Sequence, residues 1–367
     1  MNVQWIDQVE QLQTLVERWM NSNVLAMDTE FIRERTFYPI PALLQICDGE
    51  QIYLIDLPAI GSMQPLLELM TAEKPIKVMH SASEDLELIL NEIGAPMAGL
   101  FDTQIAAGLV GLPMSMSYAK LVEHFIGVEL AKDQTRSNWL QRPLTENQLF
   151  YAAADVEHLL PIAERLRAQL ADLGRESWFN EDCAKAMRED VVSAPPERAW
   201  RRLGYSAKLS PQGREALRLI TQWRDEEARR ANRPRGHIMA DPSVREVAEQ
   251  MPESMEQLSA LLAPSPRRRH LRTLWDLMHQ AWSTADEDCP PPGPEPLTSA
   301  QRKRVKEIRA YLANDAEQLG IEATLIARRR DLEHIVRFQS VPKSMQGWRI
   351  PFAERLCQQL SESPEGH

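Results

Sequence analysis

Apolar and polar segments alternate along the first 110 residues in a way that predicts a mixed α/β domain. Residues 7–20 have the periodicity of an amphipathic helix, and a second helix is predicted at 83–92. Strands are predicted at 24–31, 42–47, 52–57, 76–80 and 99–102. Asp48-Gly49, a dipeptide typical of hairpins, joins the second and third of these strands. A hairpin followed by strand-helix units indicates a mixed sheet flanked by helices.

From residue 103 onward the periodicity is helical. Thr145 and Gln148 have the spacing of a capping pair at the start of a helix predicted over 145–173. The helical pattern is interrupted at 193–196, and the proline-rich stretch 289–299 predicts an extended linker. We therefore divide the chain into a domain at 1–192, a helical bundle at 208–288, the linker at 289–299 and a second helical bundle at 300–367.

Charge is distributed unevenly along the chain. The net charge is −11, but residues 1–200 hold 15 basic and 30 acidic residues, whereas 201–367 hold 27 and 23. Ten basic residues lie in one block: Arg201, Arg202, Lys208, Arg214, Arg218, Arg224, Arg229, Arg230, Arg233 and Arg235. This block is either a phosphate-contacting surface or a solvated helix face, and charge alone leaves both open.

Composition argues against several classes of protein. No uninterrupted apolar run approaches the roughly 20 residues that span a bilayer, and the first ten residues, MNVQWIDQVE, do not have the pattern of a signal peptide. We therefore expect a soluble, cytoplasmic protein with no membrane partner. The four cysteines are far apart and form no CxxC pair, which argues against a disulfide framework or a zinc site.

Five residues in three short segments carry the candidate chemistry. Asp28 and Glu30 lie two apart at the end of an apolar run, so a strand would place both carboxylates on one face. Asp85 lies in the first turn of the helix predicted at 83–92. Tyr151 and Asp155 lie four apart in a helical segment, which places the phenol and the carboxylate on one face, one turn apart.

Carboxylates without histidine or cysteine ligands are typical of sites for hard cations such as Mg²⁺ or Mn²⁺. These ions bind phosphate oxygens well, which favours phosphodiester hydrolysis. In two-metal sites of this kind the ions lie roughly 3.5–4 Å apart, and one activates the attacking water while the other stabilises the leaving oxygen. Capping or surface carboxylates are the alternative interpretation of each residue taken singly, above all of Asp85, because acids favour the first turn of any helix.

In this order the motifs resemble those of the DEDD exonuclease superfamily, and YxxxD at 151–155 resembles its tyrosine branch. The segments AMDTEFIRERTFYP, HSASEDLELIL, KDQTRSNWLQRPL and YAAADVEHLLPI resemble the ribonuclease D family in particular. The resemblance implies a ribonuclease H-like exonuclease domain followed by two all-α HRDC bundles, which bind nucleic acid in that family. TLIARRR at 324–330 resembles the corresponding segment of the second bundle.

The resemblance also implies roles for individual residues. Asp28, Glu30 and Asp155 are expected to bind the first metal, with Asp28 bridging to a second that Asp85 supports directly or through water. Tyr151 is expected to orient the attacking water, because an unperturbed phenol with a pKa near 10 is a poor base at neutral pH.

Candidate substrate contacts are Phe31 by stacking, His80 at the terminal sugar, and Lys132 and Arg142 at phosphates. Ordinary packing is the alternative for Phe31 and His80.

The implied function is that of a metal-dependent 3′-5′ exoribonuclease that trims tRNA precursors and other small structured RNAs and releases 5′-mononucleotides. RNA is the expected partner, and the sequence indicates no obligate protein partner. Two alternatives stay open at this point. A 3′-5′ DNA exonuclease would use the same acidic motifs, because the 2′-hydroxyl contacts that distinguish RNA are not legible in the sequence. A non-catalytic RNA-binding protein on a nuclease fold is disfavoured by the complete acidic set.

Overall fold

The computed structural model describes residues 2–130, 137–203, 209–293 and 295–362. The described residues form two compact units. The first unit contains residues up to 32, residues 41–192 and residues from 297 onward, and the second contains residues 33–40 and 193–296. No helix within the described ranges is long and apolar enough to cross a membrane.

A six-stranded mixed sheet forms the centre of the first unit. Its strands are β1 (Val3–Ile6), β2 (Val24–Ile32), β3 (Ile40–Cys47), β4 (Ile52–Asp56), β5 (Ile76–Met79) and β6 (Leu100–Asp102), and their order is β1-β4-β3-β2-β5-β6. The β3–β4 pair is antiparallel, with Cys47 opposite Ile52, and confirms the predicted hairpin. Strand β5 lies parallel to both β2 and β6, and β1 lies parallel to β4.

Helices cover both faces of this sheet. Those before residue 193 are α1 (Val9–Trp19), α2 (Leu57–Ile60), α3 (Leu67–Thr71), α4 (Ser83–Ile93), α5 (Thr103–Leu109), α6 (Tyr118–Ile126), α7 (Glu146–Glu157), α8 (Leu159–Asp172), α9 (Glu176–Ala186) and α10 (Glu189–Val192), with a 3₁₀ turn at Gln64–Leu66. One core cluster joins a sheet face to α7 and α8, and another joins the opposite face to α1, α3 and α4. Burial on both faces explains the nearly continuous apolar runs of the central strands.

The second unit is helical. It contains α11 (Pro211–Arg230), α12 (Arg235–Ile238), α13 (Asp241–Gln250), α14 (Met255–Leu261) and α15 (Pro264–Ser283), with 3₁₀ turns at Pro196–Arg202 and Asp286–Asp288. Ser210 caps α11 by accepting a hydrogen bond from the Gly213 N–H, as the Ser-Pro start of this helix favours. Leu217, Val247, Leu258 and Leu274 lie in its separate core.

The last helices differ from the predicted division of the chain. They are α16 (Ser299–Leu319), α17 (Ala323–Ile326), α18 (Arg329–Phe338) and α19 (Ile350–Glu362), with a 3₁₀ turn at Gly347–Arg349. Their buried residues, among them Leu312, Leu325 and Phe352, belong to the same core cluster as α7 and α8. Residues from 297 onward therefore pack into the first unit rather than forming a separate third unit. Their HRDC-like character stays a prediction.

Two contacts join this carboxy-terminal segment to α9 of the first unit. The Trp178 and Trp348 rings are stacked with centroids 4.4 Å apart. Arg349 donates to both carboxylate oxygens of Asp182, at 2.6 and 2.9 Å. Both side chains of this ion pair are only 12% exposed, so the pair is shielded from water and has the bidentate geometry that favours a stable contact.

Half of the basic residues at 201–235 pair with carboxylates inside the second unit. Asp225 pairs with Arg229 and Arg235, Glu215 with Arg218, Glu227 with Arg230, and Asp241 with Arg224. Arg214 donates to the carbonyl oxygens of Leu209 and Pro290. Most of this block therefore serves internal contacts, whereas Lys208 lies outside the described residues. These pairs explain why a count of basic residues overestimates the free positive charge.

Candidate active site

Three of the predicted ligands lie together. Asp28 and Glu30 project from β2, and Asp155 lies on the last turns of α7, which packs against β2. One carboxylate oxygen from each of the three residues lies within 4.8 Å of the other two. The period of two along the strand and the packing of α7 on the sheet thus bring together residues that are more than 120 positions apart in sequence.

Asp85 adjoins this group without being part of it. It lies in the first turn of α4, is 7% exposed, and accepts a hydrogen bond from the hydroxyl of Thr29, the residue between Asp28 and Glu30. Burial raises the pKa of Asp28, and the negative charge of Asp85 raises it further. Asp85 is therefore close enough to influence the cluster, and its predicted role at a second metal stays a prediction.

The cluster is electrostatically unfavourable without a cation. Burial raises the pKa of Asp28 well above its ordinary value, and the negative charges of Asp85, Asp155 and Glu30 raise it further. Burial also raises the pKa of Asp85 from 3.8 to about 6, although the hydrogen bond from Thr29 acts in the opposite direction. The donor set consists of carboxylate oxygens, which fits a hard divalent cation.

The raised pKa of Asp85 predicts that the metal-free protein loses stability as pH rises. A carboxyl whose pKa is higher in the folded state binds more protons there than in the unfolded state. The free energy of unfolding therefore falls as the pH rises from 3.8 to about 6. Asp85→Asn removes this titration, and the variant should gain stability relative to wild type across that window. Urea unfolding without metal at about pH 5 and about pH 7.5 measures the difference. An equal difference at both pH values would contradict the prediction.

Tyr151 lies one helical turn before Asp155 on α7, as the spacing predicts. Its ring centroid is 6.1 Å from that of Trp139, which is 1% exposed. Thr145 caps α7 by accepting from the Gln148 N–H, and the Gln148 side chain accepts from the Thr145 N–H, which confirms the predicted capping pair. The helix that presents Tyr151 and Asp155 therefore has a well-defined beginning.

The candidate substrate residues have different environments. Phe31 is half-buried at the end of β2, directly after Glu30. The Nδ1 atom of His80 is 2.9 Å from the Thr103 hydroxyl, and burial lowers the pKa of His80, so the neutral imidazole is favoured. Lys132 lies outside the described residues. The substrate contacts of Phe31, His80 and Lys132 stay predictions.

Arg142 requires a correction. Its five N–H groups donate at 2.7–2.9 Å to both Asp56 carboxylate oxygens and to the backbone carbonyls of Trp139, Gln141 and Ala42. A guanidinium has five N–H donors, so each is already used within the protein. We therefore assign Arg142 a structural role in place of the predicted phosphate contact.

Two residues near the site were not predicted from the sequence. Asp102 accepts hydrogen bonds from the N–H groups of Ser81 and Ala82 and also from that of Gln104 at the start of α5. It holds Ser81 at a φ of 58°, which is unfavourable for a non-glycine residue, and so fixes the turn that leads to Asp85. The second residue is Tyr118. Its hydroxyl donates to the Ala154 carbonyl and accepts from the His158 N–H, beside Asp155 at the end of α7.

Comparison with known proteins identifies the family. Residues 3–171 match the family model described as 3′-5′ exonuclease, and residues 214–278 match the HRDC domain. The chain is 36% identical to ribonuclease D of Pseudomonas paraeruginosa, with 99% of this chain and 98% of the relative covered. It is 34% identical to ribonuclease D of Escherichia coli over the full length of both chains. This chain belongs to the ribonuclease D family.

Solved structures agree with this assignment. The crystal structure of Escherichia coli RNase D, described as an exoribonuclease involved in structured RNA processing, matches over the whole of both chains with a TM-score of 0.89. The catalytic core of RRP6 from Trypanosoma brucei matches 77% of this chain at 27% identity, with a TM-score of 0.57. As a ribonuclease D, the chain is a 3′-5′ exoribonuclease, and its exonuclease fold implies a divalent metal.

Proposed function

We propose that this ribonuclease D trims the 3′ ends of tRNA precursors and other small structured RNAs and releases 5′-mononucleotides with two divalent cations, Mg²⁺ or Mn²⁺. The approach of the Asp28, Glu30 and Asp155 carboxylates within 4.8 Å carries the proposal. These three residues would hold one cation, and Asp28 and Asp85 would hold the other. When bound, such cations lower the pKa of the attacking water and neutralise the leaving oxygen.

Tyr151 would then orient the water that attacks the terminal phosphodiester. Its position one turn from Asp155 allows the phenol and this ligand to face the same reacting centre. Phe31 follows Glu30 directly and would stack on the terminal base, which is a sequence-tolerant contact. Sequence-tolerant recognition is what an enzyme that removes successive different nucleotides requires.

RNA contact away from the cleavage site is expected where basic side chains are not neutralised. Lys303, Lys306 and Arg309 are exposed on α16, and within the described part of the chain they form no ion pair or hydrogen bond through their side chains. They lie away from the face of α16 that carries Ile308 and Leu312 into the core. We propose that these three residues, rather than the block at 201–235, contact RNA phosphates.

The proposed function is tested with a 3′-extended tRNA and a single-stranded DNA, each with and without Mn²⁺. We expect metal-dependent shortening of the tRNA, whereas equal shortening of the DNA would favour a DNA exonuclease.

Replacing Lys303, Lys306 and Arg309 together by glutamate should weaken tRNA binding and reduce the slope of log affinity against log salt by about 2, because each single-strand phosphate contact contributes roughly 0.7. The control replaces Glu227 and Arg230 by glutamine, which removes an ion pair without changing net charge. An unchanged slope in the triple variant would refute the contact.

A further inference from the structure

Helix α7 carries both Tyr151 and Asp155, so its placement determines the positions of two candidate catalytic groups. We propose that two separate contacts position this helix: the Tyr118 phenol at its carboxyl end and the Arg142–Asp56 ion pair at its amino end. Each contact controls a different group, Asp155 in the first case and Tyr151 in the second. The inference rests on the proposed function, in which Asp155 binds metal and Tyr151 orients water.

At the carboxyl end, Tyr118 bridges the junction between α7 and α8. Its hydroxyl donates to the Ala154 carbonyl at 3.0 Å and accepts from the His158 N–H at 3.3 Å. These two backbone groups are four residues apart and would bond to each other directly in an uninterrupted helix. A side chain inserted between such groups breaks a helix locally. Pro161 in the first turn of α8 also favours a break here, because proline has no N–H to donate to the Glu157 carbonyl. The Tyr118 hydroxyl takes up the two backbone groups that the break leaves unpaired and so fixes the backbone beside Asp155.

The surroundings of Tyr118 keep its ring in place. Tyr118 opens α6, and its centroid lies 5.9 Å from that of His80. Burial raises the pKa of Tyr118, and the negative charges of Asp155 and Asp28 act in the same direction. The phenol is consequently neutral and retains the proton that it donates to Ala154. Its hydroxyl can thus serve as a permanent bridge between α6 and the end of α7.

At the amino end, Arg142 connects the turn before α7 to the sheet. Its Nε and one terminal nitrogen donate to the Asp56 carboxylate at the end of β4, at 2.9 and 2.7 Å. The other terminal nitrogen donates to the Trp139 carbonyl at 2.7 Å. The Trp139 indole is buried beside the Tyr151 ring. The ion pair therefore holds Trp139 in the position that limits the orientation of Tyr151.

The two contacts predict opposite kinetic patterns. Tyr118→Phe retains the ring but removes both hydrogen bonds, so Mn²⁺ affinity should fall about 10- to 100-fold, as for other residues that orient metal ligands, while kcat at saturating Mn²⁺ changes much less. Arg142→Lys retains the charge but loses the bidentate geometry. It should lower kcat up to about 100-fold through misplacement of Tyr151 and leave Mn²⁺ affinity within about twofold of wild type.

Full-length protein is used throughout, and Mn²⁺ affinity is measured without RNA from the paramagnetic resonance signal of free Mn²⁺. Asp56→Asn breaks the Arg142 ion pair from the other side and should reproduce the Arg142→Lys pattern. Tyr53→Phe is the matched control. Its phenol oxygen also has two hydrogen-bond partners, Arg18 and Asp48, but its ring packs on the sheet face opposite α7, so both Mn²⁺ affinity and kcat should be unchanged.

Wild-type Mn²⁺ affinity in Tyr118→Phe would overturn the role of Tyr118, and unchanged kcat in both Arg142→Lys and Asp56→Asn would overturn that of the ion pair. Asp155→Asn separates these failures from failure of the proposed function. If Asp155→Asn binds Mn²⁺ like wild type, the proposed metal site is wrong. If it loses Mn²⁺ and Tyr118→Phe does not, only the positioning role of Tyr118 is wrong.

Discussion

Asp28→Asn should abolish mononucleotide release without unfolding the protein. Burial raises the pKa of Asp28, and the charges of all three other acidic residues of the site raise it further, so Asp28 lies where a cation would be strongly attracted. Loss of metal stabilisation worth several kcal/mol corresponds to a rate reduction of about 10³-fold or more. Asparagine has nearly the same shape, and neutralising a crowded buried charge should not destabilise the metal-free protein.

Two measurements test this prediction together: mononucleotide release at saturating Mn²⁺ and urea unfolding without metal. Asp172→Asn is the matched control, because Asp172 is exposed at the end of α8 and should retain full activity. If Asp28→Asn released nucleotides at nearly the wild-type rate, Asp28 would not be a metal ligand.

A chain that ends at residue 296 should fail to form a stable nuclease domain. This truncation removes α16–α19, whose residues Leu312, Leu325, Trp348 and Phe352 are part of the core cluster that includes α7 and α8. Each large apolar side chain contributes roughly 1.5–3 kcal/mol on burial. Loss of several such contacts is comparable to the whole stability of a typical domain, roughly 5–15 kcal/mol. We therefore expect aggregation or rapid proteolysis and no RNA hydrolysis.

Limited proteolysis and thermal unfolding of the truncated chain, beside the full-length protein, measure this effect. Trp348→Ala gives a graded comparison in the intact chain, with an expected loss of about 3–5 kcal/mol because it removes an aromatic core residue stacked on Trp178. Cooperative unfolding of the truncated chain together with wild-type hydrolysis of short RNA would show that the carboxy-terminal helices are an independent module.

The sequence predicted five strands of the sheet and the main residues of the acidic site because both depend on local periodicity. Asp28 and Glu30 share a strand face, and Tyr151 and Asp155 share a helix face, wherever the rest of the chain packs. Strand β1 was missed because it is a four-residue edge strand, VQWI, with two exposed positions before a half-buried one. Such a short segment does not establish a period.

Other features depend on residues that are distant in sequence. The predicted helix at 145–173 is two helices: Pro161 favours a new helix start in the first turn of α8, and Tyr118 from α6 bridges Ala154 and His158 at the break. The amphipathic pattern beyond residue 300 indicated that these helices bury one face, but it could not indicate that the nuclease core covers that face. Arg142 was predicted to bind phosphate because its internal partner, Asp56, precedes it by 86 residues and cannot be recognised from the sequence. In each case the pattern identified the chemical group but not its partner.

The most direct test of the account compares two RNAs of one sequence, a linear RNA with a free 3′-hydroxyl and a circle, incubated with the purified protein and Mn²⁺. A 3′-5′ exonuclease with this acidic site should shorten the linear RNA one nucleotide at a time and release 5′-mononucleotides, and the circle should persist because it has no terminus. Cleavage of the circle by wild type, lost in Asp28→Asn, would contradict attack from the 3′ end.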